Sequence, residues 1–514
     1  MGNEAGHRQR HKVKSCSMKK NREKEARHTT IPQSYLYISV VAVAAVFFGT
    51  YTAITFPHSY MDMEGNSLWL LTWDYWGTQL TMPPAASQWL SSFLCQFYAT
   101  PVVAASIQTL LYVCVSLMAY AWLRRIRIGG KWLTWLGLLP SLTMGLFCTF
   151  DACVPVQTIF LFLLLLFYCA LPVRRVRLAM AFVSLPVAYM LMSMPMIYAM
   201  LAGMMLSEWA VYGMRSWWRL LFAFPVLYVI PMVYSAQVAF VPFEKRYWTF
   251  GSYFKPLTSR VMRDSERFRS YDHLAERGEW NELLGRAGVR RAAQSGDGVA
   301  LRYALLAESA LGTLPDNLQN YPIASESQFL FQHRREYLTT LFNCLFYRNL
   351  GIYDEAYHQI QEFGLLQQNG TCFHSLRKMA EYSIAEGEWQ VAEKYLDILG
   401  KSASHSLYVQ QQRDAMSKAI VERSTKPQVP LRSNTFVGGY ELPVEMLHLA
   451  KYYTDPGQRK KMLDYVLCCY YLRNDRRRFG IALSLFGIYN ANSTLPNLYG
   501  QFLQSPPGQQ GVGG

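Results

Sequence analysis

The sequence lacks the short motifs by which metal sites and common catalytic sites are recognised. Its ten cysteines include no Cys-x-x-Cys pair and no Cys/His spacing typical of zinc. The C-terminal half has no Gly-x-Ser-x-Gly, no phosphate-binding glycine loop and no His-Glu-x-x-His. We therefore assign no metal and expect no cofactor. The sequence leaves open a disulfide between distant cysteines such as Cys344 and Cys372.

Lysine and arginine are absent from residues 57–100, which we call the first loop. This loop holds three carboxylates and four tryptophans. Elsewhere the net charge of +15 is concentrated in short basic clusters beside apolar runs. That pattern is typical of topology determinants and of contact with anionic headgroups. We therefore expect membrane lipids as partners and no nucleic acid.

Apolar runs of spanning length predict a polytopic helical membrane bundle. We place seven spans at 35–56, 101–123, 132–149, 154–172, 178–194, 196–214 and 220–241. Basic clusters alternate with cation-free connections, which predicts a cytoplasmic N-terminus and an external C-terminal domain. Residues 178–214 could instead form one long kinked helix. That alternative gives six spans and a cytoplasmic C-terminal domain.

The chain outside the spans reads as helical, so the predicted fold class is all-α. Four glycines (Gly278, Gly312, Gly351 and Gly387) recur at spacings near those of helix–turn–helix repeats. The fragments around the last two resemble the tetratricopeptide repeat, which implies an α-solenoid. The predicted order, by residue number, is a disordered basic cytoplasmic tail (1–32), the membrane bundle with its external loop (33–241), a linker (242–266), tetratricopeptide-like repeats (267–424), a Pro/Gly-rich loop (425–443), a helical cap (444–504) and a disordered tail (505–514).

The first loop also holds the candidate chemistry. Asp62 and Glu64 are close enough in sequence to bind a divalent cation or to act as a general base. His58 and Asp151 are polar residues expected at the same membrane level. The i, i+4, i+7 spacing of tryptophans predicts one face of an interfacial helix over 67–80, with a second helix over 87–98. This face could wall a substrate cavity; its tryptophans are Trp69, Trp73 and Trp76.

Three sequence stretches suggest a known family: MEGNSLWLLTWDYW with SSFLCQFYATP, MLDYVLCCYYLRND, and TLPNLYGQFL. They resemble an uncharacterised bacterial family of multi-pass envelope proteins, which implies an inner-membrane location. The layout of the membrane half is also similar to lipid-linked-sugar glycosyltransferases of the multi-span C-type fold. That resemblance implies Asp62 or Glu64 as the catalytic acid and Asp151 as a candidate metal ligand.

Two functions follow. The favoured one is a non-enzymatic cell-envelope protein that displays a helical-repeat domain on the outer side to bind another protein. The alternative is a membrane enzyme that uses a polyprenyl-linked sugar donor with the acids of the first loop, and only this alternative calls for a divalent metal.

Overall fold

A computed structural model of the chain describes most of its residues. The described ranges are 33–80, 83–126, 131–147, 150–213, 217–238, 247, 259–285, 288–330, 337–367, 370–425, 442–451, 455–489 and 495–504. The predicted tails, most of the predicted linker and nearly all of the Pro/Gly-rich loop lie outside these ranges. Every regular element in the described ranges is a helix, which confirms the all-α class.

The N-terminal half consists of apolar helices and the short helices of the first loop. In chain order these are α1 (Gln33–Thr55), α2 (Pro57–Asn66), α3 (Trp73–Leu80), α4 (Ala85–Cys95), α5 (Pro101–Ile126), α6 (Leu139–Phe147), α7 (Cys153–Ala170), α8 (Arg174–Leu191), α9 (Met194–Tyr212) and α10 (Ala223–Gln237). Two 3₁₀ segments, Lys131–Leu138 and Trp217–Phe222, precede α6 and α10. α1 packs along α5, α5 packs against α7, and α7 packs against α9.

Five helical stretches are long and apolar enough to cross a membrane, so the protein is membrane-embedded. They are Gln33–Thr55, Pro101–Ile126, Cys153–Ala170, Met194–Tyr212 and Trp217–Gln237. Two other predicted spans are helical but fall short of that description. The apolar helix Trp135–Phe147 is shorter, and α8 begins with three arginines in its first turn.

The predicted break near residue 193 separates two antiparallel helices. Ser193 donates its backbone N–H to Gln157 Oε1 at 2.9 Å, which satisfies a free donor at the start of α9. Arg174, at the start of α8, lies 3.7 Å from Glu208 near the end of α9. Because the far ends of the two helices meet, residues 178–214 are not one long kinked helix.

The C-terminal half, residues 260–504, is built from helical hairpins, and we call it the hairpin domain. Its helices are α11 (Arg260–Glu276), α12 (Trp280–Gly285), α13 (Val289–Gln294), α14 (Gly298–Leu311), α15 (Leu314–Asn317), α16 (Tyr337–Asn349), α17 (Tyr353–Leu365), α18 (Phe373–Glu386), α19 (Trp389–Leu399), α20 (Ser406–Thr425), α21 (Leu442–Ala450), α22 (Pro456–Leu472), α23 (Arg476–Tyr489) and α24 (Asn497–Gln504). α11 begins inside the segment that we assigned to the linker.

Glycines end several of these helices, as the repeat pattern predicts. The four glycines named above all have a positive φ, between 72° and 83°. At each one the next residue donates its N–H to the carbonyl five positions back, as Thr313 does to Glu308 at 2.9 Å. This is the Schellman motif, which glycine adopts without the penalty that a Cβ would bring.

One hydrophobic core runs through the hairpin domain, and it includes Leu68 of the first loop. The possible partners Cys344 and Cys372 are both free thiols in buried positions. Cys344 instead lies 3.0 Å from the hydroxyl of Tyr382. Side-chain packing, and no disulfide between these two cysteines, therefore stabilises the core. Through Leu68 the core also includes part of the N-terminal half of the chain.

Candidate functional site

Helix α2 is capped by a side chain from the hairpin domain. Its first residue follows Phe56, whose side chain makes no capping bond. Glu266 of α11 accepts the backbone N–H groups of His58 at 2.8 Å and Ser59 at 2.9 Å. It also accepts the Ser59 hydroxyl at 2.5 Å and lies 2.9 Å from His58 Nδ1. A carboxylate at a helix N-terminus satisfies free donors and complements the helix dipole.

These bonds hold Glu266 in its ionised form. Burial raises the pKa of its carboxyl, but the hydrogen bonds from His58 and Ser59 outweigh that effect, so the pKa falls below its ordinary value. Both of these side chains contact Glu266, and the serine hydroxyl donates to it. His58, Ser59 and Glu266 therefore form a structural connection between α2 and α11.

The two acids proposed as catalytic both contact the hairpin domain. Asp62 accepts a hydrogen bond from Arg269 Nε at 2.8 Å, and Arg269 also donates to Ser59 Oγ at 3.2 Å. Glu64 lies 3.2 Å from His405 Nε2. Burial raises the pKa of Asp62, although Arg269 opposes this shift. The two acids thus form contacts between the first loop and the hairpin domain.

Backbone hydrogen bonds continue this interface after α2. Phe373 donates its N–H to the carbonyl of Ser67 at 3.0 Å, and Leu71 donates to the carbonyl of Lys401 at 2.9 Å. Between them Leu68, 6% exposed, enters the core of the hairpin domain. Residues 57–71 therefore form a continuous docking segment. The hairpin domain and the first loop are parts of one packed structure.

A cavity of about 260 Å³ lies between α2 and the hairpin domain, and we call it the interface cavity. Acidic residues, histidines and arginines line it together with several apolar side chains. Its lining residues are His58, Met61, Asp62, Glu64, Gly65, Asn66, Ala99, Arg269, Asp272, His273, Glu276, Leu338, Leu341, Phe373, His374 and Arg377. It contains three of the residues proposed from the sequence, namely His58, Asp62 and Glu64.

Several titratable groups of this cavity have shifted pKa values. Burial, followed by the charge of Glu276, raises the pKa of Asp272 to about 7. Burial lowers the pKa of His374 to about 4. Burial alone would raise the pKa of Glu276, but Lys378 and then Arg377 hold it well below its ordinary value. At neutral pH the cavity therefore holds an uncharged histidine and a carboxyl near its titration midpoint, which is typical of functional sites.

A second, larger cavity adjoins the first on the hairpin domain. It has a volume of about 550 Å³, and we call it the groove. α11, α16, α17, α18 and α20 contribute its lining residues, which are His273, Glu276, Arg277, Arg348, Tyr353, Arg377, Lys378, Glu381, Tyr382, Ala385 and Gln412. The two cavities share His273, Glu276 and Arg377. Its volume lies in the range of small-molecule sites.

Asp151 belongs to neither cavity. Its Oδ1 accepts the hydroxyl of Ser91 at 2.8 Å and the backbone N–H of Cys153 at 2.9 Å. It therefore caps the start of α7 and ties α4 to it. Burial raises the pKa of this carboxyl. The structure does not bring Asp151 together with Asp62 and Glu64.

The three tryptophans do not share one helix face, which corrects the prediction of a helix over 67–80. The helix begins only at Trp73, because Leu68 and the bond from Leu71 anchor the preceding residues to the hairpin domain. Trp69 is 5% exposed and packs against Trp89, which also contacts Trp76. Trp73 is 87% exposed. The second predicted helix is present as α4.

Among the described residues no group of three or more His, Cys, Asp or Glu side chains could hold a metal ion.

The model of the family of unknown function DUF6057 matches residues 33–504. The chain belongs to this family. No curated protein and no solved structure matches it. Because the DUF6057 match covers the membrane helices and the hairpin domain together, both halves belong to one family unit.

The sequence analysis did not identify the hairpin-domain residues that contact the docking segment, residues 57–71. Glu266, Arg269, Asp272 and Glu276 recur every three or four residues along α11, so they share one face. That polar stripe was the available signal. It does not reveal which segment covers it, because Arg269 and Asp62 are 207 residues apart. No sequence pattern predicted that His405 would contact Glu64.

Proposed function

We propose that this DUF6057 protein is a non-enzymatic envelope protein of the bacterial cytoplasmic membrane. In this proposal its N-terminus is cytoplasmic, and its hairpin domain lies on the outer side and binds another protein. The observation that carries it is the pairing of Asp62 with Arg269 and of Glu64 with His405. In this proposal the two acids fix the hairpin domain to the first loop, a role that suits a binding scaffold.

The topology has two supports. α8 and α9 are antiparallel, which is compatible with two separate spans. In addition, α2 contacts α11 and α18, which supports placing these three helices on one side of the membrane. That placement needs an even number of crossings between α2 and α11. Seven spans meet this condition, as do the five candidate stretches alone, whereas the six-span alternative does not.

The hairpin architecture supports a binding role. Successive helix pairs with Schellman turns at Gly312, Gly351 and Gly387 support the proposal of a tetratricopeptide-like solenoid. Solenoids bind partners along surfaces to which several repeats contribute. The groove has this property, because helices from several hairpins line it.

A photo-crosslinking residue in place of Gln412 tests the partner. Gln412 lines the groove, whereas Gln410 on the same helix is exposed and does not line it. We expect a discrete protein adduct in cells from position 412 and not from position 410. The same adducts from both positions, or none from position 412, would contradict the proposed partner.

C-terminal reporter fusions test the topology, and reporter activity in the cytoplasm would refute the external placement.

A second candidate function is an enzyme that uses a polyprenyl-linked sugar donor. Asp62 and Asp272 both line the interface cavity, and burial raises the pKa of both carboxyls. The pKa of Asp272, about 7, suits proton transfer near neutral pH. Substitution of Asp62 and Glu64 by Ala, followed by profiling of lipid-linked sugars and envelope glycans, separates the two functions. The binding scaffold predicts unchanged profiles when protein levels are matched. Accumulated donor lipid would favour the enzyme.

A further inference from the structure

The groove carries an excess of positive charge. Four cationic side chains line it, Arg277, Arg348, Arg377 and Lys378, against two carboxylates, Glu276 and Glu381. The other titratable residues of the lining are Tyr353, Tyr382 and His273. Burial raises the pKa values of the two tyrosines, and burial followed by the charge of His58 lowers the pKa of His273. The wall therefore favours a ligand of negative charge.

The cations differ in how far their charge is already balanced. Lys378 lies 2.6 Å from Glu276 and 2.8 Å from Glu381, and Arg377 also pairs with Glu276. Arg277 lies 2.8 Å from Glu279, outside the groove. The two groove carboxylates are thus engaged by two cations, and a third cation has its own partner.

Arg348 is different. Its one hydrogen bond to a described residue is long, 3.4 Å from Nη1 to the backbone carbonyl of Glu276. No carboxylate of the described residues lies within ion-pair distance of it. An arginine has five N–H donors in a planar fork that matches a carboxylate or a phosphate. Arg348 therefore lies half-buried at the groove, and most of its donors make no hydrogen bond to the described residues.

A neighbouring arginine adds a further donor. The Nε–H of Arg377 is buried and makes no hydrogen bond, although it is 3.9 Å from Glu381 Oε1. Buried donors are normally satisfied. Tyr353 and Gln412 complete the wall with neutral polar groups. One cavity thus combines a cation without a carboxylate partner and a buried donor without an acceptor.

We propose that the groove is an oxyanion-binding site in which Arg348 recognises a carboxylate or phosphate group of the ligand. This deepens the proposed function, since it rests on the same groove as the protein partner and names the chemistry recognised there. The oxyanion has two possible sources. Either a free small molecule carries it or the bound protein presents it, and the experiment below separates these two sources.

The test uses the full-length protein in nanodiscs and isothermal titration calorimetry with inorganic phosphate and with citrate. We expect at least one of the two anions to bind, with an affinity that falls as the salt concentration rises. Arg348→Gln should weaken that binding about tenfold or more, because hydrogen bonds between charged groups are among the stronger ones. Arg348→Lys should be intermediate, since it keeps the charge and loses the fork. Arg291→Gln, at an exposed arginine outside the groove, is the matched control.

The crosslink at position 412 identifies the source. If the adduct also falls in Arg348→Gln, the oxyanion belongs to the protein partner; if only anion binding falls, it belongs to a free small molecule. Binding of neither anion by the wild type, or equal binding by wild type and Arg348→Gln, would overturn the oxyanion site. A missing adduct with intact anion binding would instead overturn the protein partner alone. Unchanged thermal unfolding of the variants shows that they are folded.

Discussion

The interdomain cap of α2 gives the sharpest test of the docking interface. Glu266→Gln keeps the shape of the side chain but removes its charge and turns one acceptor oxygen into a donor. That new amide faces the N–H and O–H donors of His58 and Ser59. Loss of an N-terminal cap costs about 1 kcal/mol, and loss of a hydrogen bond to a charged group costs about 1.5–3 kcal/mol. We therefore expect α2 to be released more easily by about 3 kcal/mol.

Hydrogen–deuterium exchange measures this directly. Where reclosing is faster than chemical exchange, the opening equilibrium sets the exchange rate, and about 3 kcal/mol corresponds to roughly 100-fold faster exchange of the α2 amides. Asp264→Asn is the matched control on the same helix. Its side chain is 45% exposed and pairs only loosely, at 3.6 Å, with Arg267. It should change the free energy of opening by less than about 0.5 kcal/mol.

The pH dependence gives this prediction a second readout. The folded pKa of Glu266 lies below its ordinary value of 4.5. Its contribution is therefore complete above that value and is lost as the pH falls through the folded pKa. The difference between wild type and Glu266→Gln should shrink in acid. Equal α2 exchange in wild type, variant and control at neutral pH would refute the capping argument.

Three further predictions use other parts of the molecule. Asp272 has a pKa of about 7 in the folded protein against 3.8 ordinarily, so wild-type stability should fall as the pH rises between these values, and Asp272→Asn should flatten that slope in thermal melts. Gly312→Ala forces a side chain to a φ of 74° and should destabilise by about 1 kcal/mol, whereas Gly480→Ala inside α23 should stabilise slightly, both measured by denaturant unfolding. Trp69→Ala removes a buried ring and should cost about 3–5 kcal/mol, whereas Trp73→Ala should leave the melting temperature nearly unchanged. A result in which the two members of either pair behave alike would contradict the assigned environments.

Local features were predictable from the sequence because local chemistry decides them. A glycine at a helix end adopts a positive φ more easily than any other residue, so the spacing of Gly312, Gly351 and Gly387 located real turns. Long apolar runs likewise located helices such as α1 and α5. These signals depend on a few neighbouring residues.

The site could be predicted only in part because its contacts are long-range. The sequence singled out His58, Asp62 and Glu64 but gave no means of finding partners hundreds of residues away. The prediction of a tryptophan-bearing helix over 67–80 was wrong at its start for the same reason. Its spacing suited a helix from 67, but the bond from Leu71 to the carbonyl of Lys401 holds that stretch against the hairpin domain. Tertiary bonding overrode the local pattern.

The absence of lysine and arginine from the first loop has a second consequence besides topology. With no cation of its own, the loop can pair Asp62 only with a residue from elsewhere, and Arg269 of the hairpin domain fills that role. Glu64 likewise meets His405. The third acid, Asp74, lies in the first turn of α3, where the helix dipole stabilises it. An internal loop cation would compete with Arg269 for Asp62, so the cation-free composition makes the loop a selective docking surface for this domain.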